Sequence, residues 1–385
     1  MVRLIHLLLI LSLCLACVAF GEDDARIQCR GKINGEPVVL GLDTGAELTL
    51  LFRETAERLG LEVKWPSADL QVDPGKVALG VSEECLLEAG QLSARTRFGV
   101  VRLPGYIRPD MDGLIGWGSI SENIVEIRPE FKSVRFRERL GIDKSQWLCR
   151  PIRTDLNVLV VQIPNSPGKP FQIMIDTGSS AGVTLNAHRW QEWCKENPGR
   201  PSTLSALFYP GRGLLVREEK WAKKLSLGGL VFTEVPISMD PEMGKKIAPG
   251  RNAVVGMCGL SCFSWVVDGP DGKTYIKWSG MTRKPEKYNY NRLAAVFVPN
   301  EASGSDGLVA QVVENGPAYD AGIRDGDVLL KVDDVDATKW RTDPNVLPLS
   351  RFWKRPVGTA LNLALRRGDE DYEVSVALRE VFKED

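Results

Sequence analysis

The sequence predicts a mainly β chain made of a doubled unit and a third, smaller module. Three observations carry this reading. Glycine and proline are abundant, 37 and 23 in 385 residues, and they punctuate short apolar runs with turns. A strand, turn, strand and Asp-Thr-Gly follow one another in "RIQCRGKINGEPVVLGLDTGAELTLL" and again in "VLVVQIPNSPGKPFQIMIDTGSSAGVTL". After residue 280 the chain becomes a polar linker, then a compact set of short alternating strands. The expected division is a leader at 1–21, a first unit at 22–142, a second at 143–280, and a linker with the third module at 281–385.

The leader has Arg3, an acid-free apolar stretch, the small residues Ala19 and Gly21, and then Glu22-Asp23-Asp24. This order reads as a secretory signal peptide, so an exported chain, periplasmic or secreted, is expected. The alternative is a retained membrane anchor. Cys17 is a poor lipid-attachment site, because Cys14 stands where leucine is wanted. Cys29, Cys85, Cys149, Cys194, Cys258 and Cys262 follow. In an oxidising compartment they are numerous enough for a disulfide framework, with the pairing left open. Cys258 and Cys262 lack companion ligands for a metal, and no cofactor is expected. With 49 basic and 50 acidic residues the chain offers no electrostatic footprint for nucleic acid.

In the first unit the turn is Asn34-Gly35, and in the second it runs from Asn165 to Gly168. Each Asp-Thr-Gly is followed by a short helical segment, "FRETAERLGL" and "NAHRWQEWCKE". Each unit then closes alike, with Leu114-Ile115-Gly116 in one and Val254-Val255-Gly256 in the other. An apolar hairpin comes next, "NIVEIRPEFKSVRF" and "SWVVDGPDGKTYIKW".

The chain has two histidines. His6 lies in the leader, and His188 opens an amphipathic helix. A zinc site with two histidines on one helix face is therefore excluded. A Ser-His-Asp site would have to use His188, and no G-x-S-x-G elbow is present. Phosphate-binding and dinucleotide loops are absent as well. Acid–base chemistry falls to carboxylates, and Asp43 and Asp176 are the candidates.

Two Asp-Thr-Gly turns, each paired with an apolar-apolar-Gly closure, resemble aspartic peptidases over about residues 25–280. The single units resemble the retropepsin type, fused here in one chain as in pepsins. The resemblance implies two β-barrel lobes related by a pseudo-twofold axis, with Asp43 and Asp176 as a catalytic dyad sharing one proton. It implies that Thr44 and Thr177 hydrogen-bond across to the opposite loop. Gly45 and Gly178 let the backbone approach the dyad. Ser179 is placed to bond the outer oxygen of Asp176, where Ala46 offers nothing to Asp43, so unequal acidities are expected. The apolar pairs before Gly116 and Gly256 are expected to pack beneath the active loops. A substrate-covering flap is expected in "SALFYPGRGLLV", with Tyr209 and Arg212 meeting substrate. The first lobe shows no clear flap tip in "DPGKVALGVSEECLLEAG". The implied substrate is an extended polypeptide, and a monomer is sufficient.

The segment "GLVAQVVENGPAYDAGIRDGDVLLKVDDVDA" resembles bacterial PDZ domains over about residues 286–385. That implies a sheet edge that accepts a peptide. A backbone loop near Leu293, Ala294 and Ala295 would hold the C-terminal carboxylate of the ligand. Alanine stands where the family often has glycine, and it is expected to resist the loop geometry. The whole reads as an exported aspartic endopeptidase with a PDZ domain that captures peptides or guards the cleft. The alternative is a non-catalytic peptide-binding protein built from silent lobes.

Overall fold

The hairpin at Asn34-Gly35 forms as the sequence requires. Both residues are left-handed, with φ +52° and +90°, the twist-matched turn of a two-residue connection. It joins β1 (Gln28–Ile33) to β2 (Glu36–Asp43) in a computed structural model of the chain. That structure describes residues 27–65, 78–103, 110–164, 170–209, 213–240, 243, 251–280, 288–299, 307–343 and 345–382. The expected leader, the second-unit turn and Arg212 lie outside the described residues.

After β2 come β3 (Leu50–Phe52), the helix Arg53–Arg58, β4 (Val63–Lys64), β5 (Ala78–Ala89), β6 (Leu92–Arg102) and β7 (Gly113–Gly116). They order as β1-β2-β7-β3-β6-β5-β4, and β1 also pairs with β5 through Lys32–Glu88 and Ile33–Leu87. That extra pairing closes six strands into a barrel and leaves no free edge around the ring.

A hairpin, β8 (Ile124–Arg128) and β9 (Ser133–Arg137), leads to β10 (Leu148–Pro151). The second lobe contains β11 (Val160–Ile163), β12 (Phe171–Ile175), β13 (Val183–Asn186), the helix Ala187–Glu196, β14 (Ser202–Tyr209), β15 (Gly213–Leu227), β16 (Leu230–Asp240) and β17 (Arg251–Val255). Its order is β11-β12-β17-β13-β16-β15-β14, the permutation of the first lobe strand for strand. The repeat is thus one of topology as well as sequence.

The closing hairpin β18 (Phe263–Asp268) and β19 (Lys273–Trp278) pairs back onto β8, giving a sheet ordered β10-β19-β18-β8-β9. Both units contribute strands to it. One apolar core consequently runs from Ile27 and Leu40 through Trp117 and Val125 to Ile175, Val255 and Trp265. Each closing pair splits between two faces, as strand alternation requires. Ile115 and Val255 enter this shared core, Leu114 joins a separate first-lobe cluster, and Val254 packs on a small second-lobe one.

The third module contains β20 (Ala295–Pro299), β21 (Leu308–Val312), the helix Pro317–Asp320, β22 (Val328–Val332), β23 (Val335–Asp336), the helix Ser350–Trp353, β24 (Ala360–Arg367) and β25 (Glu370–Ala377). It has its own core around Phe297, Trp340, Phe352 and Leu363. An aromatic cluster docks it on the second lobe. Trp221 of β15 meets Phe382 at 5.9 Å between ring centroids, and Tyr290 meets Phe382 at 4.4 Å.

The disulfide framework considered from sequence is not formed at Cys29, Cys85, Cys149 or Cys194, which carry free thiols. Their strands and helix place them by packing: Cys85 is fully buried, and Cys29 and Cys194 pack against the shared core.

Candidate active site

Each Asp-Thr-Gly sits where a strand leaves its sheet. Asp43 ends β2, which runs parallel to β7 and sets Asp43 opposite Gly116. Asp176 follows β12, whose parallel partner is β17, and its amide donates to the Val255 carbonyl at 3.0 Å. The apolar-apolar-Gly closure is thus the rail on which each acidic turn rides.

Four hydrogen bonds lock the two turns together. The Thr44 amide donates to Thr177 Oγ1 (3.1 Å), and the Thr177 amide donates to Thr44 Oγ1 (3.2 Å). The two hydroxyls then donate onward, Thr44 to the Ile175 carbonyl and Thr177 to the Leu42 carbonyl, both at 2.7 Å. Both threonines are fully buried. At roughly 0.5–1.5 kcal/mol net for each bond, the lattice sets the separation of the lobes more than it sets global stability.

The carboxylates lie face to face across this lattice. The Gly45 amide donates to Asp43 Oδ1 (2.9 Å), and the Gly178 amide donates to Asp176 Oδ1 (3.0 Å). Each glycine also passes under the opposite carboxylate. A β-carbon on Gly45 would stand 2.8 Å from Asp176 Cγ, and one on Gly178 would stand 2.3 Å from Asp43 Oδ2. Only glycine allows this approach.

The two acids are not equivalent. Asp43 is fully buried, and among the described residues its Oδ2 has no protein donor. Burial, then the charge of Asp176, holds its carboxyl well above the ordinary range. Burial also pushes Asp176 up, to about 6, against opposing help from the Gly178 amide and the Arg217 guanidinium. A single proton between the carboxyls satisfies the orphaned Oδ2 and relieves the repulsion.

The source of the asymmetry corrects the sequence expectation. The Ser179 hydroxyl does not bond Asp176; it turns back to accept from the Ala181 amide at 3.3 Å. The difference comes instead from the deeper burial of Asp43 and, to a smaller extent, from Arg217 on β15, a side chain that sequence reasoning missed, whose charge acts on Asp176. Arg217 is buried and pairs with Asp240 at 3.2 Å. In "LLVREEKWAKK" the charges read as a solvated face. Period-two alternation does put Arg217 and Glu219 on the face of Trp221, and all three are buried.

Glu219 is the second missed residue. Burial raises its carboxyl to about 7, while Lys354 of the third module and the Tyr288 hydroxyl (3.5 Å) favour the ion. A raised folded value means stability that is complete below the ordinary glutamate range and lost as pH climbs through about 7. Glu219→Gln should therefore leave stability unchanged near pH 4. At pH 8 it should raise stability on the order of 2–3 kcal/mol, which thermal unfolding at the two pH values will read.

His188 is exposed on the helix Ala187–Glu196, 3.3 Å from Glu192 and outside the dyad. The expected flap is built on the β14–β15 hairpin, where Tyr209 pairs with Gly213. The side chain of Tyr209 and all of Arg212 lie outside the described residues. In the first lobe the equivalent arms are β4 and β5, paired through Val63–Ser82 and Lys64–Val81. The segment joining them, 66–77, also lies outside the described residues.

At the third module, Leu293, Ala294 and Ala295 form a buried loop with no exposed surface. Ala294 does adopt the left-handed geometry that was expected to exclude it, with φ +55°. Gly316 leaves the room its methyl occupies: a β-carbon there would lie 2.7 Å from the Ala294 methyl.

Residues 29–117 match the family model described as aspartyl protease, and residues 308–349 match that of the PDZ domain. No curated protein matches the chain. The chain thus carries an aspartyl protease domain and a C-terminal PDZ domain. The protease match spans the first lobe, and the second lobe repeats its strand order and its acidic turn.

Proposed function

We propose that the chain is an exported aspartic endopeptidase in which Asp43 and Asp176 form one catalytic dyad. The observation that carries this is the reciprocal threonine lattice. It holds two buried carboxylates against each other from two lobes of a single chain. One copy is sufficient for such a site.

In the starting state Asp43 holds the proton and Asp176 is the anion, an order supported by the deeper burial of Asp43 and by Arg217 beside Asp176. Asp176 removes a proton from water as its oxygen attacks the scissile carbonyl carbon. Asp43 gives its proton to the carbonyl oxygen, forming a neutral gem-diol. Asp176 then returns its proton to the amide nitrogen, the C–N bond breaks, and Asp43 regains a proton from a diol hydroxyl. No charge has to build up on the substrate, which suits a site screened from solvent. A polypeptide lying as an extended strand between the lobes, under the hairpins, fits this chemistry.

The test is the pH dependence of kcat/KM on an unfolded polypeptide. The acid limb belongs to protonation of Asp176 and should fall near pH 6, because its carboxyl is raised to about 6. The alkaline limb belongs to loss of the Asp43 proton and should lie above it. A single acid limb in the range of an ordinary carboxylate would contradict a shared-proton pair.

A further inference from the structure

Because the two lobes share one strand order, residues of one have counterparts in the other. Leu50 pairs with Leu114 and Gly99, and Thr184 pairs with Val254 and Ser238. Gly99 pairs onward with Val81 as Ser238 does with Glu219, and two residues before these stand Leu79 and Arg217. Val101, opposite Phe52, answers to Asp240, opposite Asn186. Met111 and Arg251 each stand three residues before the closing pair's first member, Leu114 or Val254. Local contacts repeat as well. A β-carbon on Gly41, opposite Leu114, would lie 2.8 Å from Met111 Sδ; Met174, opposite Val254, has its Sδ 3.0 Å from Arg251 Nη1.

The counterparts differ in chemistry. The first-lobe face is one apolar cluster that includes Leu50, Leu79, Val101, Met111 and Leu114. At the matching places the second lobe has Thr184, Arg217, Asp240 and Arg251, all buried, and only Val254 stays apolar. Arg217 bonds Asp240 at 3.2 Å and Thr184 Oγ1 at 3.4 Å, and Thr184 bonds Ser238 at 3.1 Å. The strand plan does not require these charges, since the first lobe forms it with leucine and valine. A buried ion pair is also weak as a source of stability. Both faces border the dyad. Leu114 and Val254 stand two residues before the closing glycines, and the charge of Arg217 reaches Asp176. Burial raises the Glu47 carboxyl and Arg251 opposes it. Glu47 belongs to the first lobe's acidic turn, so Arg251 acts across the cleft.

We propose that the cleft selects its substrate by two unlike walls: the first-lobe wall takes an apolar side chain, and the second-lobe wall takes an acidic one, with Arg217 and Arg251 as its specificity-determining residues. Within that wall two guanidiniums meet one carboxylate, Asp240, while Glu47 approaches from the opposite lobe. Arginine only donates, in a fork that matches a carboxylate. A neutral or apolar substrate side chain forgoes those charged bonds in a site screened from water, which is how a polar subsite discriminates. This substrate class rests on the proposed protease function.

The probes are end-blocked, internally quenched ten-residue peptides of Ala, Ser and Thr with one central Leu. A single Glu, Gln or second Leu is scanned over three positions on either side of it. Blocked ends leave the side chain as the sole source of a carboxylate. In at least one position Glu should exceed both Gln and Leu in kcat/KM by about tenfold or more. Two variants give the second wall the residues of the first: Arg251→Met, and Arg217→Leu together with Asp240→Val. The double change removes both charges at once, so no lone buried charge is left to unfold the chain. Each should bring Glu and Gln within about twofold, and the double variant should favour Leu at that position. The ratio of two substrates on one enzyme cancels any change in the dyad itself. Glu within about twofold of Gln at every position in wild type, or a preference that survives both variants, overturns the proposal. Binding of the fluorescein-labelled Glu and Gln peptides to the chain carrying Asp43→Asn separates the two readings. A wild type that cuts none of the peptides, beside an Asp43→Asn chain that binds Glu about fivefold tighter than Gln and loses this with Arg251→Met, leaves the wall standing and sinks only the protease reading.

Discussion

Replacing Gly178 with alanine should abolish proteolysis while leaving a folded chain. The added methyl would stand 2.3 Å from Asp43 Oδ2, 2.5 Å from its Cγ and 2.9 Å from Oδ1. It can be accommodated only by moving the Asp43 carboxyl or the turn that carries Asp176. A displacement of about 1 Å at reacting groups costs on the order of 100-fold in rate, and here the displaced group is itself reactive. Overpacking of this kind destabilises by about 1–3 kcal/mol. Circular dichroism and thermal unfolding will then report a folded protein with a lowered melting temperature. Gly45→Ala should be milder, because its methyl meets Asp176 Cγ at 2.8 Å. The ranking of the two variants in kcat/KM is the check. A Gly178→Ala chain within about tenfold of wild type would show that the carboxylates do not work at the separation seen.

What could be read from the sequence was what local chemistry encodes. Asn34-Gly35 states its turn, and Asp-Thr-Gly following an apolar run states where a strand ends in an acid. The paired closures then told that the two runs belong to one repeated unit, and the shared strand order bears this out. Pairings between distant segments were not legible. Nothing in "RGKINGE" announces that Ile33 will pair with Leu87 and close a barrel. Nor does the charge run at 217–220 announce that Arg217 and Glu219 face inward, since burial there depends on Asp240, Trp221 and the docked third module. Ala294 shows the same limit in reverse. The residue looked incompatible with a left-handed loop, yet it stands there at φ +55°, its methyl in the room left by Gly316, 22 positions along.

The hairpin β14–β15 has no single owner in this architecture. Its base carries Trp221 and Glu219 to the PDZ side, its middle carries Arg217 toward Asp176, and Leu214 near its tip reaches the first lobe.

Asp43→Asn and Asp176→Asn should each lower kcat/KM by more than about 10³-fold, since each removes one half of the proton traffic. Neither should unfold the chain. Asparagine Oδ1 still accepts from the Gly45 or Gly178 amide, and the threonine lattice does not involve either carboxyl. Both carboxyls have raised folded values, so they favour folding at low pH and the advantage is lost as pH rises through those values. Either amide should therefore match or exceed wild-type stability at pH 8. The deciding measurement is cleavage of one unfolded polypeptide by wild type and both variants, side by side, near the top of the wild-type pH profile. A cleaving wild type beside two folded, inert variants is the expected result. Activity within about tenfold of wild type in either variant would contradict a single dyad shared between the lobes.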